Sequence, residues 1–394
     1  MAVVAGRGTG GETGGMRLPR PSLAQAIVFW CIVATLLVVA VLVPAVARFD
    51  APRARVPGAA ETVKGRVTAI LERTSIQTSR GTIEQERLAI EVGGTTATVS
   101  RSRSTEDIGT LHVEPGDRVL VARVPGPEGD AYLIVDRVRS QALLVLTVAF
   151  VVMVLVTGRR HGLTSLLGLA ASLLVIVRFI VPGILAGYDA AVIASIGAFV
   201  IMGTTLYLAH GVSVKTTVAL IGTGVALVAT VLLAALSIRM ARISGIASED
   251  VATLQVLAAG HVDAAGVLLG GFVIGTLGVL DDITVAQASA VFELRRANAA
   301  LGAIELYRRA MNVGRDHIAA TVNTLVLAYA GASLPLLMLL VVQGEALSIQ
   351  VNREYLATEV MRSLVGGMGL IAAVPFTTAI AALVAHRAVE PPAA

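Results

Sequence analysis

The stretch GVLLGGFVIGTLGVL, Gly266–Leu280, is followed at once by Asp281-Asp282 and then ITVAQ. Its reading decides the fold. An uncharged apolar run of this kind reads as a helix crossing a bilayer, which takes ~20 residues. Two carboxylates at its end are costly to place, and an ionisable group at membrane depth marks a functional site. Two readings of the doublet are open. If the helix continues, Asp281, Thr284 and Gln287 lie three apart and form one polar stripe. If it breaks after Gly278, Thr284 caps a new helix with Gln287 at its N3 position, and the acids complement that helix's dipole.

Working outward, the same apolar character recurs along the chain. Of its 394 residues 55% are hydrophobic and 15% charged, a balance that excludes an ordinary soluble domain. Runs long enough to span lie near 24–47, 141–158, 162–182, 189–209, 214–236, 263–280, 318–342 and 360–385. The sequence therefore predicts a mainly α, polytopic membrane protein of about eight spans. Arg17, Arg20, Arg159, Arg160, Lys215, Arg295, Arg296, Arg308, Arg309, Arg315 and Arg387 fall on one side if both termini are inside. Arg239 and Arg242 fall on the other, beside Glu249, Asp250 and Asp263. The expected orientation is N-in, C-in.

Domain boundaries follow from shifts in composition. Residues 1–22 read as a disordered cytoplasmic N-terminus and 23–48 as an anchor. The anchor's apolar run exceeds the ~7–15 residues of a signal peptide, despite the small residues Ala45-Val46-Ala47. Residues 59–138 lose the long apolar runs and alternate instead. Short strands near 65–70, 87–92, 96–100, 118–124 and 132–138 are separated by Gly93-Gly94 and Pro115-Gly116-Asp117. That pattern predicts a small extracytoplasmic β-barrel, OB-like, in which VEPGDRVLV (Val113–Val121) turns at Gly116 and sends alternate valines inward. Nucleic-acid binding is not expected, because Tyr132 is the segment's only aromatic residue. A docking module for an envelope or secretion protein is the plainer role. Residues 140–386 form the seven-span membrane domain. Within it, 283–312 reads as amphipathic helix lying on the inner surface, and 387–394 is a cytoplasmic tail.

Further polar residues sit in the next span, GRDHIAATVNTLVLAYAGASLPL (Gly314–Leu336). Arg315 and Asp316 open it, Thr321 follows, and Asn323 shares a face with Asp316. Arg315 is placed to pair with Asp281 or Asp282, or simply to anchor the inner end. Asn323 reads either as a hydrogen bond to a neighbouring helix or as part of a pathway. Gly266, Gly270, Gly271 and Gly275 have the spacing of close helix packing. Arg178 reads as snorkelling to the outer interface or pairing with Asp189.

The absences are informative too. There is no GxxxxGK[ST], HExxH or GxSxG, and Cys31 is the single cysteine. No enzyme, cofactor or metal site is expected. Adjacent acids on one helix point ~100° apart, which suits an aspartyl intramembrane protease badly.

LGVLDDITVAQASAV and the downstream GRDHIAATVNTLVLAYAGASLPLL, with AHGVSVKTTVALIGT (Ala209–Thr223), resemble the YibE/F family of bacterial membrane proteins over about residues 140–386. The resemblance implies a multi-pass bacterial plasma-membrane protein of permease type and no particular substrate. The residues themselves suggest a permease for a small solute or ion, with Asp281, Asp282, Gln287, Arg315, Asp316, Thr321 and Asn323 as coupling candidates. The alternative is a non-transporting scaffold whose external β domain holds a partner.

Overall fold

The computed structural model describes residues 61–78, 81–104, 111–124, 130–247, 249–258 and 262–388. The expected anchor at 23–48 lies outside them, as do the N-terminus and residues 389–394. The described chain divides into two compact units between Leu163 and Thr164.

The first unit begins with five strands: β1 (Glu61–Thr78), β2 (Gly81–Val92), β3 (Thr95–Ser104), β4 (Arg118–Val124) and β5 (Ala131–Arg137). They form one antiparallel sheet in the order β3-β2-β1-β4-β5. Gly93 and Gly94 both take positive φ, 60° and 85°. Such a two-residue turn matches the twist of the strands that it joins. Gly116, at φ 101°, makes the expected turn before β4. Val67, Ile90, Val99, Val113, Val119 and Val121 fill the core, so the alternation read from the sequence does point these valines inward. β1 and β2 run well beyond the expected strands as a long two-stranded arm. Edge strands β3 and β5 lie side by side without being hydrogen-bonded neighbours.

One carboxylate is buried within this sheet. Glu86, 1% exposed, meets Arg73 at 2.7 Å and Arg101 at 2.8 Å. Burial pushes its carboxyl up, but the hydrogen bonds and charges of Arg101 and Arg73 outweigh that and hold it below the usual carboxylate range. A lowered folded-state value gives stability that is present at neutral pH and lost as pH falls below about 4.3, the ordinary glutamate value. Glu86→Gln removes the charge and one of the two acceptor oxygens that Arg73 and Arg101 share, and should cost about 2–3 kcal/mol. Faster amide exchange in β1–β3 of the full-length variant at pH 7, with unchanged exchange in the helices, would show it. Wild-type exchange rates would remove the ion pairs from any stabilising role.

The helix α1 (Ser140–Val175) opens apolar and exposed on all sides within its unit, with Leu143, Leu144, Leu146, Met153 and Val156 all bare. A helix that is apolar all round belongs in lipid or under protein. It breaks at Arg159, whose φ of 49° and ψ of −123° are not helical. There the chain doubles back so tightly that a Cβ on Gly162 would collide with the Val154 carbonyl.

The second unit continues α1 from Thr164 through a π-helical turn (Ile176–Ile180) into α2 (Val181–Leu185). It then holds α3 (Ala190–His210), α4 (Val214–Ala241), α5 (Glu249–Leu257), α6 (Ala264–Ala297), α7 (Ala303–Ala332), α8 (Leu334–Gln343), α9 (Leu347–Gln350) and α10 (Glu354–Ala388). Side chains cap three of these helices: Asp189 for α3, Ser213 for α4 and Asp263 for α6. Asp189 is thus engaged at Val192 N–H, and Arg178 lies exposed on the π turn.

Helix α6 is central and packs against α3, α4, α7 and α10. Among the described residues, five helices are long and apolar enough to cross a membrane: Ser140–Leu185, Ala190–His210, Val214–Ala241, Ala264–Ala297 and Glu354–Arg387. A sixth candidate is the pair α7 and α8, bent by 65° at Ser333. The chain is a mostly helical membrane protein with a small antiparallel sheet in its N-terminal region.

One expectation is corrected. Residues 283–312 do not lie on a surface as separate amphipathic helices. They are the second half of α6 and the first turns of α7, joined by a short loop. Val291, Ala288, Leu306 and Ala310 pack with Ala381, Ala382 and Ala385 of α10 and with Val218 and Ala219 of α4. Small residues on all of these faces let the bundle continue past the doublet.

Candidate functional site

Because α6 runs unbroken from Ala264 to Ala297, the helix-break reading of Asp281-Asp282 is excluded. Thr284 sits in mid-helix, where its hydroxyl meets the Asp281 carbonyl at 3.2 Å. Asp281, Thr284 and Gln287 form the stripe that continuity demands. Thr284 is fully buried and Gln287 is 1% exposed. Asp282, one position on and ~100° around the helix, is exposed on the outside of the bundle. The doublet therefore separates into one inward and one outward acid.

The Asp281 carboxylate touches a hydroxyl and no cation. Its Oδ2 accepts from Thr205 Oγ1 of α3 at 3.3 Å. Its Oδ1 is buried without a hydrogen-bond partner. Thr205 also donates back to the Ile201 carbonyl at 2.9 Å, so its single proton is shared. Next along the stripe, Thr284 Oγ1 and Thr223 Oγ1 of α4 lie 2.6 Å apart. Thr223 reaches the Ala219 carbonyl at 2.9 Å. These two threonines have two protons for three contacts, so one carbonyl always goes without. Gln287 Nε2 donates to the Ala310 carbonyl of α7 at 2.8 Å, while its Oε1 is buried and unpaired. Across the bundle, Thr377 Oγ1 of α10 is likewise buried without a partner, pressed against Gly222.

Among the described residues, the unsatisfied polar atoms of the interior thus include Asp281 Oδ1 and Gln287 Oε1 on α6 and Thr377 Oγ1 on α10. Each costs about 1–3 kcal/mol while unmet, so together they favour water, a proton or a cation entering. Among the described residues no group of three His, Cys, Asp or Glu is placed to hold a metal ion.

The structure does not bring the second-helix candidates to this site. Arg315 donates to Asn312 Oδ1 at 2.8 Å on its own helix and pairs with neither Asp281 nor Asp282. Asp316 and Asn323 are exposed and Thr321 is half-buried. The reason is the face that α7 uses. Leu306, Ala310, Gly314 and Leu325 are its buried residues, and Asp316 lies two positions, ~200°, from Gly314. Gly314 itself is where α7 admits Gln287, whose amide would stand 3.0 Å from an added Cβ.

The residues that the sequence reading missed are threonines. Thr205, Thr223 and Thr377 join the expected Thr284 in the polar interior, and their hydroxyls were hidden within apolar runs. Thr216, Thr223 and Thr230, seven apart on α4 and all buried, were the available signal. Of the packing glycines, Gly266 and Gly270 meet α3 at Ala190 and Ala194, a Cβ added at Gly275 would stand 3.6 Å from Tyr329 Oη, and Gly271 has open space.

Residues 146–387, more than half of the chain, match the family model described as YibE/F-like protein. No curated protein and no solved structure matches. The chain belongs to the YibE/F-like family.

Proposed function

We propose that this YibE/F-like protein is a permease of the bacterial plasma membrane that moves a small solute or ion, with Asp281 as an exchangeable proton or cation site. A single observation carries the reading: a carboxylate on the central helix with one oxygen buried and unpaired, on one stripe with the equally unpaired amide oxygen of Gln287. Interior acids in membrane helices bind the ion whose arrival and departure drive movement. Thr205, Thr223 and Thr284 supply rotatable hydroxyls around it, suited to following a proton or cation. Asp282, Arg315, Asp316 and Asn323 lie outside this pathway in the proposed mechanism. Transport in proteoliposomes by wild-type, Asp281→Asn and Asp282→Asn proteins tests it, with equal rates for all three counting against it.

In this reading the chain makes eight crossings, N-in and C-in, with the sheet outside. The 46-residue apolar helix Ser140–Leu185 is more than twice the ~20 residues that one crossing takes, and its break at Arg159 supports two crossings. The strand order, with edges β3 and β5 adjacent, supports an OB-like barrel.

A second reading, a scaffold within a larger assembly, is favoured by one observation. Asn323 and Thr324 stand exposed on α7, on a helix that reads as a membrane span. A bare amide facing lipid is costly, and a neighbouring helix would satisfy it. With Cys31→Ser removing the native thiol, Asn323→Cys should trap a specific crosslinked partner, or a second copy, in native membranes. Leu327→Cys, one turn on, should trap the same species. Absence of any discrete product at both positions would sink the scaffold reading.

A further inference from the structure

A cavity of about 540 Å³ opens where α8 bends away from α7, between that bend and the first turns of α6 and α10. Its walls are mainly apolar: Val267, Leu268, Pro335 and Leu336 line it, and Gly271 leaves its floor open. Among them stands one guanidinium, that of Arg362. It sits over the Phe272 ring at 5.3 Å, a contact that fixes its plane. Its Nη2 reaches Glu359 at 3.4 Å, a long contact for an ion pair. Its Nε is buried and has no hydrogen-bond partner. The arginine is therefore oriented by the ring, only loosely paired, and lines the cavity with the accessible part of its guanidinium.

We infer that this cavity binds a small solute with an apolar body and one oxyanion group, a carboxylate in the simplest case, anchored by Arg362. Three features point to that chemistry. The guanidinium edge presents N–H donors in a plane that suits a carboxylate or phosphate. With Glu359 beside it the pair is formally neutral, so a dianion adds two uncompensated charges where a monoanion adds one, which favours the monoanion. The apolar part of the wall, Val267, Leu268, Pro335 and Leu336, suits a hydrocarbon body, while Ser333, Tyr355 and Thr358 stand on the polar side with Arg362. The 65° bend at Ser333, followed by Pro335, makes the space, because a straight helix would carry Leu336 onward instead of turning it beside the cavity.

Gly271 and Asp281 are on the same helix, ~15 Å apart along its axis at 1.5 Å per residue. The inference deepens the permease reading by naming the solute's class, and it rests on that reading for calling the cavity a stop on a path. Binding itself is measured without transport, so the two fail separately.

The test uses the full-length protein in phosphatidylcholine nanodiscs and ligand-observed NMR. Isovalerate is the probe, isoamyl alcohol carries the same body without the charge, and dihexanoyl phosphatidylglycerol represents a lipid source of the oxyanion. Isovalerate should bind saturably, at least about tenfold more tightly than the alcohol, and Arg362→Gln should remove that advantage. Leu268→Trp, which fills the cavity and keeps the charge, should also abolish binding. Asp282→Asn, exposed and outside the cavity, should bind as wild type. Binding that survives both Arg362→Gln and Leu268→Trp would overturn the proposal. So would no saturable isovalerate binding to wild type, or displacement by the lipid at far lower concentration. Isovalerate binding to wild type together with undiminished transport by Asp281→Asn would instead remove the permease reading and leave the cavity standing.

Discussion

Asp281→Asn protein should lose transport by at least about tenfold in proteoliposomes, while Asp282→Asn should stay within about twofold of wild type. The contrast is the point, because the two acids are neighbours in sequence and identical in chemistry. They differ in what surrounds them. Asp281 faces Thr205 from the interior with one oxygen unpaired, and Asp282 faces outward. Asparagine keeps the size of the side chain and an oxygen for Thr205, and it removes the exchangeable charge. Folding should survive, since an uncompensated buried carboxylate costs more to hold than a neutral amide. The melting temperature of Asp281→Asn in detergent should therefore equal or exceed that of wild type, which separates lost transport from lost structure. Thr205→Val should reduce transport more mildly, about threefold, because it removes one hydrogen bond and leaves the carboxylate. Full transport by Asp281→Asn would end the coupling role proposed for the residue.

How much of this was legible depends on the kind of signal. Apolar runs announced a membrane protein, and the alternation with Gly93-Gly94 and Gly116 announced the sheet, because both patterns are properties of single segments. Continuity through Asp281 was not legible. The acid doublet and Gly278 gave a local reason to break α6, and only the packing of Ala288 and Val291 against α4 and α10 carries the helix on. The partner of Asp281 was misassigned for a related reason. Charge complementarity suggested Arg315, yet α7 meets the bundle through Gly314 and Ala310, and rotation about its axis turns Arg315 away. The hydroxyls that do line the interior give weak signals one at a time, since a buried threonine bonding its own helix is common in membrane spans. Their meaning appears only when four helices bring them together. The stripe of Asp281, Thr284 and Gln287 was the exception: helical spacing alone placed it, given continuity.

Gly222→Ala and Gly369→Ala should each lower stability by about 1–3 kcal/mol, although alanine is the better helix former. Both glycines are notches that receive a threonine of the opposite helix. A Cβ on Gly222 of α4 would overlap Thr377 Oγ1 of α10, and a Cβ on Gly369 of α10 would overlap Thr230 Oγ1 of α4. The two notches are reciprocal, so α4 and α10 lock at two points. Thr230 bonds the Ala226 carbonyl at 2.8 Å and is held in place, so it yields poorly. Thr377 has no such bond, but its own Cβ would stand 2.9 Å from the new methyl, so rotating its hydroxyl away leaves Gly222→Ala no milder than Gly369→Ala. Gly278 and Gly367 provide the controls: nothing lies within 4 Å of a Cβ at either. There the ordinary helix preference should win, and alanine should be neutral or stabilising by up to about 1 kcal/mol. Adding Thr377→Ala to Gly222→Ala should recover part of the loss, because the overlapping hydroxyl goes and its unmet hydrogen bond goes with it. Thermal unfolding of the five variants in one detergent decides the matter. Equal melting temperatures for Gly369→Ala and Gly367→Ala, two positions apart on one helix, would mean that the α4–α10 contact is not the tight lock described.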